Sequence, residues 1–414
     1  PSRAAFARAE KLRDCVHCGL CSSVCPTYLE TGNEADSPRG RIYLMQGLVD
    51  AEASIGADVV EHLDLCLGCR ACETACPSGV EYGSLIEEAR AVTRGAAPRS
   101  LRARGLRWLV ERLFPRPALL AALLAPARWL ERLGVLAVLR RHSRFARLLP
   151  PASPGGPKVA RHTEPVGVRR GEAVLFEGCV ARVVFADTNR ATVRVLARNG
   201  LEVRVPQGQG CCGALLLHGG DRAGARALAR RNVDAFAAVP GRIVTNAAGC
   251  GATLVEYGEL LADDPAYAER ARALAARVGD VSAVLEEVGW VAPLGPVAMK
   301  VAYHDACHLV HGMGVRLEPR RLLQRIPGLE LVELEEADVC CGSAGSYNLT
   351  QPEMAARLGR RKARCIEASG ANVIAAGNPG CVLHIRAAMA EAAVAGEVVH
   401  PIELVERALD AGTG

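Results

Sequence analysis

The sequence predicts an α/β protein in which a helix-rich N-terminal module precedes two repeated parallel α/β domains in a pseudo-twofold arrangement. Three observations support this prediction. One spacing of cysteines occurs twice near the N-terminus, short apolar strands alternate with helical segments from residue 172 onward, and a second set of cysteines recurs at nearly constant offsets. These features divide the 414 residues into segments 1–95, 96–171, 172–295 and 296–414.

The N-terminal module carries two runs of the form C-x2-C-x2-C-x3-C-P, one from Cys15 to Pro26 and one from Cys66 to Pro77. This spacing is typical of [4Fe–4S] ligation, in which three close thiolates bind one cluster and the fourth binds the other. The proline lacks an N–H and fixes φ, which keeps the chain from folding back over the cluster. We assign Cys15, Cys18, Cys21 and Cys76 to cluster one, and Cys66, Cys69, Cys72 and Cys25 to cluster two.

Zinc ligation and disulfides are the alternatives for these cysteines. Zinc sites usually join two C-x2-C pairs across a longer gap. Seventeen cysteines with no evident secretory signal indicate metal ligation in a reducing compartment instead of a disulfide scaffold. Two neighbouring [4Fe–4S] clusters predict one-electron transport.

Helices are expected around both cysteine runs. Residues 1–14 have a helical pattern, and Val59 to Leu65 predict a further helix. Ser37 as N-cap and Pro38 in the first turn predict a helix that continues to about residue 49. Its arginines are expected near the clusters, with a solvated helix face as the alternative. The side chains concerned are Arg39 and Arg41, and those expected in the core are Ile42, Met45 and Leu48.

Segment 96–150 alternates Leu, Trp and Phe with Arg at helical spacing, interrupted by Pro115, Pro117 and Pro126. A basic amphipathic helix of this kind can lie on an anionic membrane surface. The alternative is a set of linker helices packed on the protein or on a partner subunit. Residues 150–171 are rich in Pro and Gly and predict a flexible linker at a domain boundary.

The C-terminal half contains the same series of strands, helices and cysteines twice. In the first copy, strands are expected at 173–179, 201–205 and 242–245, with helices at 189–199 and 220–238. The cysteines of the second copy follow those of the first by 128, 129 and 131 residues. Similar helices close the two copies, beginning at Val281 and Pro401.

Eight cysteines follow the predicted strands, where parallel α/β sheets place their ligand sites. Four of them form adjacent pairs followed by glycine, which suits close approach to a cluster and not an ordinary disulfide. The alternative is a role as small buried hydrophobes, which we assign to the isolated Cys365. The eight expected metal or cluster ligands are Cys179, Cys211, Cys212, Cys250, Cys307, Cys340, Cys341 and Cys381.

Three histidines, His304, His308 and His311, flank Cys307. His304 and His308 would share a helix face if the turn after the strand is helical. Metal ligation, proton relay to a quinone and hydrogen bonding to thiolates are open roles, and we interpret the histidines as structural. His17, inside the first cysteine run, is expected to tune the cluster potential.

Composition excludes several functions. The net charge of +5 does not indicate nucleic-acid binding. The sequence contains no uncharged run of eighteen apolar residues, so a transmembrane helix is not expected. No G-x-G-x-x-G follows a predicted strand, so a nucleotide site is not expected. No catalytic acid or base is evident, and we assign no catalytic residue and expect the bond-making chemistry on a cofactor of another chain.

The double cysteine run followed by two Cys-Cys-Gly repeats resembles the iron-sulfur subunits of bacterial glycolate oxidase over nearly the whole chain. It is also similar to subunits of heterodisulfide reductase and anaerobic glycerol-3-phosphate dehydrogenase, and to lactate-utilisation proteins. Specific matches are Cys25-Pro-Thr-Tyr28, Pro38-Arg-Gly-Arg-Ile-Tyr-Leu44, Glu177-Gly-Cys179 and Cys340-Cys-Gly-Ser-Ala-Gly-Ser-Tyr347. The resemblance implies an FAD-containing partner that oxidises glycolate, a second flavoprotein-like subunit and electron delivery toward membrane quinone.

The chain departs from the heterodisulfide reductase pattern at one point. That pattern ends in C-x2-C, whereas here the first of the two positions holds Ala247 in one repeat and Asn378 in the other. Each repeat therefore offers four cysteines, which favours an ordinary [4Fe–4S] cluster, or a single occupied repeat, over double-cubane chemistry. We expect at least one further iron-sulfur cluster in the repeats.

The predicted function is electron transfer within a glycolate oxidase complex, by a cytoplasmic protein peripheral to the inner face of the membrane. One alternative is the iron-sulfur subunit of a related lactate or glycerol-3-phosphate dehydrogenase. Another is a catalytic thiol-disulfide or quinone reductase of the heterodisulfide reductase type. The third is a non-catalytic assembly or metal-storage scaffold.

Overall fold

The computed structural model describes residues 6–50, 56–94, 101–142, 146 and 158–412. These residues form an N-terminal helical module, three connector helices and two sheets flanked by helices. The predicted α/β class with a helix-rich N-terminus is confirmed.

The N-terminal module is built from short helices around the cysteine runs. Its α-helices are α1 Pro26–Thr31, α2 Pro38–Val49, α3 Ala57–Leu65, α4 Ala71–Thr74 and α5 Tyr82–Thr93, and its 3-10 helices are Ala9–Asp14, Leu20–Ser22 and Glu34–Asp36. Ser37 caps α2 as predicted, because its Oγ accepts a hydrogen bond from the N–H of Gly40 at 3.0 Å. Ile42, Met45 and Leu48 of α2 are buried, also as predicted.

The helix predicted over residues 1–14 is wrong in type. Residues 9–14 form a 3-10 helix in which Leu12 is the buried side chain, so they offer no apolar stripe wide enough to hold an α-helix against the core. Residues 1–5 lie outside the described ranges.

The connector consists of α6 Leu101–Leu113, α7 Pro117–Arg132 and α8 Val135–His142. Leu120 and Leu124 of α7 pack against Val183 of the first repeat, and this contact attaches the connector to the sheet domains. Much of the predicted linker, residues 150–157, lies outside the described ranges.

The first repeat contains β1 His162–Thr163, β2 Gly171–Leu175, β3 Leu201–Arg204, β4 Arg242–Thr245 and β5 Val278–Asp280. The sheet order is β1-β3-β2-β4-β5, parallel except for β1. The linker prediction is therefore wrong at residues 162–163, which pair with the free edge of β3. The helices are α9 Cys179–Val184, α10 Ala186–Arg198, α11 Ala214–His218, α12 Arg222–Ala237, α13 Ala248–Val255, α14 Tyr257–Leu260, α15 Ala268–Ala275 and α16 Val281–Val288.

The second repeat contains β6 Met299–His304, β7 Leu329–Val332, β8 Val373–Ala376 and β9 Glu397–Val399. Its order, β7-β6-β8-β9, is the order of the equivalent strands β3-β2-β4-β5, so the sheets are copies. The helices are α17 Glu318–Gln324, α18 Tyr347–Thr350, α19 Pro352–Ser369, α20 Pro379–Glu391 and α21 Pro401–Ala411, with a π-helical turn at His308–Gly312.

The two repeats pack reciprocally, as a pseudo-twofold axis requires. The closing helix α21 of the second repeat packs on α10 of the first, and the closing helix α16 of the first packs on α17 of the second. Buried side chains of both sheets, among them Leu175, Val203, Val301 and Tyr303, share one core. The repeats therefore exchange their last helices across a common apolar layer.

Candidate metal centres

The four cysteines assigned to cluster two line one small cavity under Tyr82. All four are buried, and Cys25 reaches the cavity from the first cysteine run. The fold thus brings together the set that the sequence predicts, which consists of Cys25, Cys66, Cys69 and Cys72.

Two buried arginines set the charge around this cavity. Burial raises the pKa of the Cys66 thiol, but the guanidinium groups of Arg41 and Arg90 outweigh it and lower that pKa. Arg41 is 0% exposed, and it donates hydrogen bonds to the carbonyl of His62 at 2.6 Å and to Thr27 Oγ1 at 3.1 Å. The expectation for Arg41 holds, since its guanidinium interacts with Cys25 and Cys66.

The remaining thiols of the cavity test whether a cluster fits there. Burial, together with neighbouring thiols, raises the pKa of Cys69 and Cys72 well above the ordinary thiol value. Thiols packed so closely repel one another as thiolates, and iron bound among them would supply the missing positive charge. The donor set and its crowding fit a [4Fe–4S] cluster.

The cysteines assigned to cluster one lie nearer the surface. Cys15, Cys21 and Cys76 are half-buried and pack against the module core, whereas Cys18 is exposed. Burial raises the pKa of Cys21, and so do the nearby Cys15 and Cys25.

Exposed residues surround the first cysteine run. Val16 is 68% exposed and Leu20 57%, and His17 is also exposed. Arg39 donates to the carbonyl of His17 at 3.1 Å and pairs with Glu34. Arg39 therefore holds the cysteine loop through a backbone carbonyl, and its guanidinium also interacts with Cys21, as expected of an arginine near the clusters.

In the first repeat, the four cysteines form two close pairs. The Sγ atoms of Cys179 and Cys211 are 3.3 Å apart, as are those of Cys212 and Cys250. Hydrogen bonds from Cys179 and Cys212 lower the pKa of Cys211 well below its ordinary value. Gly213 has φ +94°, which is why glycine follows the pair.

In the second repeat, all four cysteines are buried and two of them adjoin cluster two. Cys307 and Cys340 pack with Leu67 and Cys69 of the N-terminal module. Cys341 and Cys381 lie deeper, beside His304 at the end of β6. The second cysteine site and the cluster-two cavity are therefore neighbours across a domain boundary.

His304 and His308 do not share a helix face, because the condition for it, a helical turn that includes both residues, is not met. His304 ends the strand, whereas His308 opens the π-helical turn. The His308 ring lies 5.3 Å from that of His218, and burial lowers its pKa to about 3. His311 Nδ1 is 2.7 Å from Thr74 Oγ1 of the N-terminal module.

The cysteine spacing does not predict three residues that lie near the cavity. Arg90 donates to the carbonyls of Leu63 and Cys66, and the Tyr82 hydroxyl lies 3.7 Å from Cys66 Sγ. The Tyr347 hydroxyl donates to the carbonyl of Leu65 at 2.8 Å. Tyr347 ends the motif that begins at Cys340, whereas nothing in the sequence around Arg90 indicates its contacts.

Cys365 is buried in the same apolar core as Cys341 and Cys381, but it is not part of the group of possible metal ligands found among the described residues. It packs with the apolar side chains Ile366 and Ile374 of the repeat core. This position agrees with the structural role expected for it.

The connector helices expose several large apolar side chains. Trp108 is 61% exposed and Trp129 62%. None of the helices in the described ranges is long and apolar enough to cross a membrane. The exposed set also includes Leu109, Leu119, Leu123, Leu133, Val138 and Leu139.

Comparison with known proteins identifies the same modules. Residues 11–80 match the family described as 4Fe-4S dicluster domain, and residues 173–255 and 301–386 each match the family described as Cysteine-rich domain. The dicluster match spans every cysteine assigned to clusters one and two. The N-terminal module is therefore a domain for two [4Fe–4S] clusters.

Relatives match along nearly the whole chain. The probable glycolate oxidase iron-sulfur subunit of Bacillus subtilis is 38% identical, over 95% of this chain and 93% of its own length. The glycolate oxidase iron-sulfur subunit of Escherichia coli is 36% identical, over 96% and 94%. A subunit of the fumarate reductase (CoM/CoB) of Methanothermobacter marburgensis is 31% identical, over 96% of this chain and 73% of its own length.

A crystal structure of a hypothetical protein from Helicobacter pylori shares the fold alone, with a TM-score of 0.55 at 9% identity, over 92% of this chain and 69% of the other. The long matches to the relatives, together with the three matched domains, decide the assignment. This chain belongs to the family of glycolate oxidase iron-sulfur subunits, and is an iron-sulfur subunit of an oxidoreductase complex.

Proposed function

We propose that this chain carries electrons inside a glycolate dehydrogenase complex, from an FAD-containing partner subunit toward quinone or another acceptor. A second flavoprotein-like subunit completes the complex. The observation that carries the proposal is the line of cysteine sites, which runs from the exposed Cys18, through the buried cluster-two cavity, to Cys307 and Cys340. The names of the Bacillus subtilis and Escherichia coli relatives supply the substrate.

Each cluster has its own proposed ligands. Cys15, Cys18, Cys21 and Cys76 hold cluster one, and Cys66, Cys69, Cys72 and Cys25 hold cluster two. A [4Fe–4S] cluster supplies the ability to take up and release one electron. Arg41 and Arg90 are buried beside the cluster-two thiols, and their positive charges reduce the free-energy cost of burying thiolates there.

The exposed edge of cluster one is the proposed contact with a redox partner. Val16 and Leu20 present apolar surface next to Cys18, and apolar residues with a polar surround are typical of a docking patch. Cluster two has no such edge, because its four thiols are buried. Electrons would therefore exchange with the partner at cluster one.

Burial also bears on the alternative of a disulfide reductase. A disulfide substrate must reach a thiolate directly. Among the eight repeat cysteines, Cys250 is half-buried and the other seven are buried. The described structure therefore favours conduction over thiol-disulfide exchange. A further cluster in the repeats, on the eight predicted cysteines, would extend the same conducting line.

Replacing Cys18 with Ala in the assembled complex tests the electron path. We expect glycolate to reduce the flavin at the normal rate and acceptor reduction to fall at least about a hundredfold, because the loss of one ligand disrupts cluster one. Stopped-flow flavin bleaching and steady-state acceptor reduction measure the two steps. Cys365→Ala is the control and should leave both rates unchanged. Normal acceptor reduction in Cys18→Ala would refute the path.

The proposed location is the cytoplasm, with the complex at the inner face of the cell membrane. Trp108 and Trp129 on the connector carry rings that suit the membrane interface, and the exposed Arg104 and Arg112 lie one turn before and after Trp108 on α6. Arginine favours anionic lipid, and indole rings favour the headgroup region. This arrangement supports peripheral contact between the connector and the membrane.

Vesicle binding tests the membrane contact. The double variant Trp108→Ser/Trp129→Ser should bind phosphatidylglycerol-containing vesicles at least about tenfold more weakly, because it removes the two largest interfacial side chains. Co-sedimentation measures the binding. Tyr43→Ser removes an aromatic residue that is 70% exposed on the N-terminal module, and should bind like the wild type. Equal binding by all three proteins would rule the contact out.

A further inference from the structure

The two sheets differ at one edge. In the first repeat, β1 runs antiparallel to β3 and covers its outer side. In the second repeat, no strand of the described residues lies in that place, so β7 is the edge of its sheet. An edge strand presents a row of backbone N–H and C=O groups that can pair with another chain. The second sheet therefore has an open edge where the first is closed.

β3 and β7 are equivalent strands. Val203 and Leu331 hold matching positions in the two strand registers. They are separated by the same 128 residues that separate the first cysteines of the repeats. The segment Leu-Glu-Val-Arg-Val at 201–205 therefore corresponds, residue by residue, to Leu-Glu-Leu-Val-Glu at 329–333.

The cover decides how far these residues are buried. Glu202 is 7% exposed and Val205 is 8% exposed, although each lies on the outermost long strand of its sheet. Their counterparts in the second repeat, Glu330 and Glu333, are both exposed. The same strand is thus buried where β1 covers it and open to solvent in the copy without such a cover.

Cations near the covering strand bind the glutamate of the first repeat. The Nε2 atom of His162, on β1, lies 3.0 Å from Glu202 Oε1, and Arg169 Nη2 lies 2.8 Å from Glu202 Oε2. By contrast, the side chain of Glu330 makes no hydrogen bond or ion pair with the described residues. Glu333 pairs with Arg320, yet its side chain remains 72% exposed. The open edge is therefore acidic.

Val205 shows which backbone amides the edge offers. Its N–H donates to the carbonyl of Arg161, just before β1, at 2.8 Å. Alternate residues of a strand direct their N–H and C=O groups to the same side. The corresponding amides of Leu331 and Glu333 therefore point away from β6, toward the open side.

Charge decides what kind of strand fits this edge. A second copy of the chain, paired through β7, would bring its own glutamates beside those of the first, and like charges on paired strands are destabilising. A strand that carries Lys, Arg or His would instead repeat the contact between His162 and Glu202. Because this chain is a subunit of a complex, such a strand has a source in another subunit.

We propose that β7 is the docking edge for an extended, basic segment of a partner subunit. The segment adds an antiparallel strand to the second sheet, as β1 does to the first. Its carbonyls accept hydrogen bonds from the amides of Leu331 and Glu333, and its cations pair with Glu330 and Glu333. The proposal rests on membership of a complex and not on the electron path, so either can fail while the other stands.

Hydrogen exchange with mass spectrometry, on the full chain alone and in the assembled complex, tests the added strand. The amides of Leu331 and Glu333 should exchange at least about tenfold more slowly in the complex, because they gain hydrogen-bond partners. Exchange in β9, at the opposite edge of the same sheet, should not change. The proposal is overturned by unchanged exchange in β7, by equal slowing in β9, or by a β7 already protected in the chain alone.

Charge reversal tests the basic character of the partner. Glu330→Lys should weaken assembly with the partner subunits at least about tenfold, measured by biolayer interferometry under anaerobic conditions. Glu367→Lys makes the same change at an exposed position on α19 of the same repeat, and should assemble like the wild type. Circular dichroism and the cluster absorption confirm that both variants are folded. Wild-type affinity in Glu330→Lys would refute a basic partner at this edge.

A proline tests the backbone contact separately from charge. Glu333→Pro removes an N–H that faces the open side, a position where an edge strand tolerates proline. Glu333→Gln removes the same charge and keeps the N–H. Glu333→Pro should therefore bind the partner subunits more weakly than Glu333→Gln, by about tenfold. Equal affinities of the two variants would exclude strand addition.

Discussion

The two repeats share one backbone plan and differ in what surrounds their cysteines. In the first repeat, Cys179 and Cys211 pack into the repeat's own apolar core beside Phe176. In the second, Cys307 and Cys340 pack against the N-terminal module and its Cys69. The fold places four thiols at the same sheet edge in both copies, but only those of the second copy adjoin the N-terminal module.

The largest expected difference between the repeats is in electron transfer. Cys340→Ala should lower acceptor reduction by the complex about tenfold, equivalent to about 1.4 kcal/mol, and change the EPR signal of reduced cluster two. The reason is that the Cys340 thiol interacts electrostatically with Cys69. Acceptor assays and EPR on the purified complex measure both effects.

Cys211→Ala in the first repeat is the matched control. It removes an equally buried thiol at the equivalent position, so its loss of packing is similar. It should leave the EPR signal of cluster two unchanged. Equal changes in the two variants would mean that both repeats, or neither, communicate with the clusters.

A smaller difference concerns the caps of the closing helices. Asp280 caps α16, and burial raises its pKa to about 6, although hydrogen bonds from Ser282 oppose this. His400 caps α21, and burial lowers its pKa to about 4. On unfolding, the pKa of Asp280 therefore falls to its ordinary value, whereas the pKa of His400 rises to its ordinary value.

The sign of each contribution follows from the order in which the folded and unfolded states lose protons. The stability contributed by Asp280 is present below about pH 4 and is lost as pH rises through 6. The contribution of His400 is present above about pH 6.5 and is lost as pH falls through 4. Between pH 5 and pH 7 the two effects largely cancel in the wild type.

Replacing each cap with a residue that does not titrate should reveal how that cap makes the free energy of unfolding depend on pH. Between pH 5 and pH 7, the free energy of unfolding of Asp280→Asn should rise by about 1–2 kcal/mol relative to that of the wild type. That of His400→Asn should fall by about 2 kcal/mol relative to the wild type. Asn retains the capping hydrogen bond in both variants. Anaerobic urea unfolding at the two pH values measures the free energies. If the free energy of unfolding changed with pH in the same way in all three proteins, the two caps would not make opposite contributions.

Much of the fold follows from the sequence, because local rules act over a few residues. Ser37 begins α2, and the cysteines of the repeats follow their strands, as predicted. The short pairing of residues 162–163 with β3 is not predictable in this way, because two residues carry no periodic pattern.

The surroundings of the sites are predictable only in part. Cysteine spacing groups the cluster-two thiols, but the burial of Arg90 depends on carbonyls as distant as that of His218. The sequence favours a structural role for His304, whereas both of its ring nitrogens lack normal hydrogen bonds in the described structure. Such environments arise where segments far apart in sequence meet, and spacing holds no information about them.

The exchange of closing helices between the repeats has an evolutionary consequence. A chain that held the first copy alone would leave the face of α10 that packs on α21 open to water, because α21 belongs to the second copy. An ancestral half-length protein would have had to form a symmetric homodimer. Duplication and fusion would then have released the two halves from identity, so that equivalent cap positions could hold Asp280 in one half and His400 in the other.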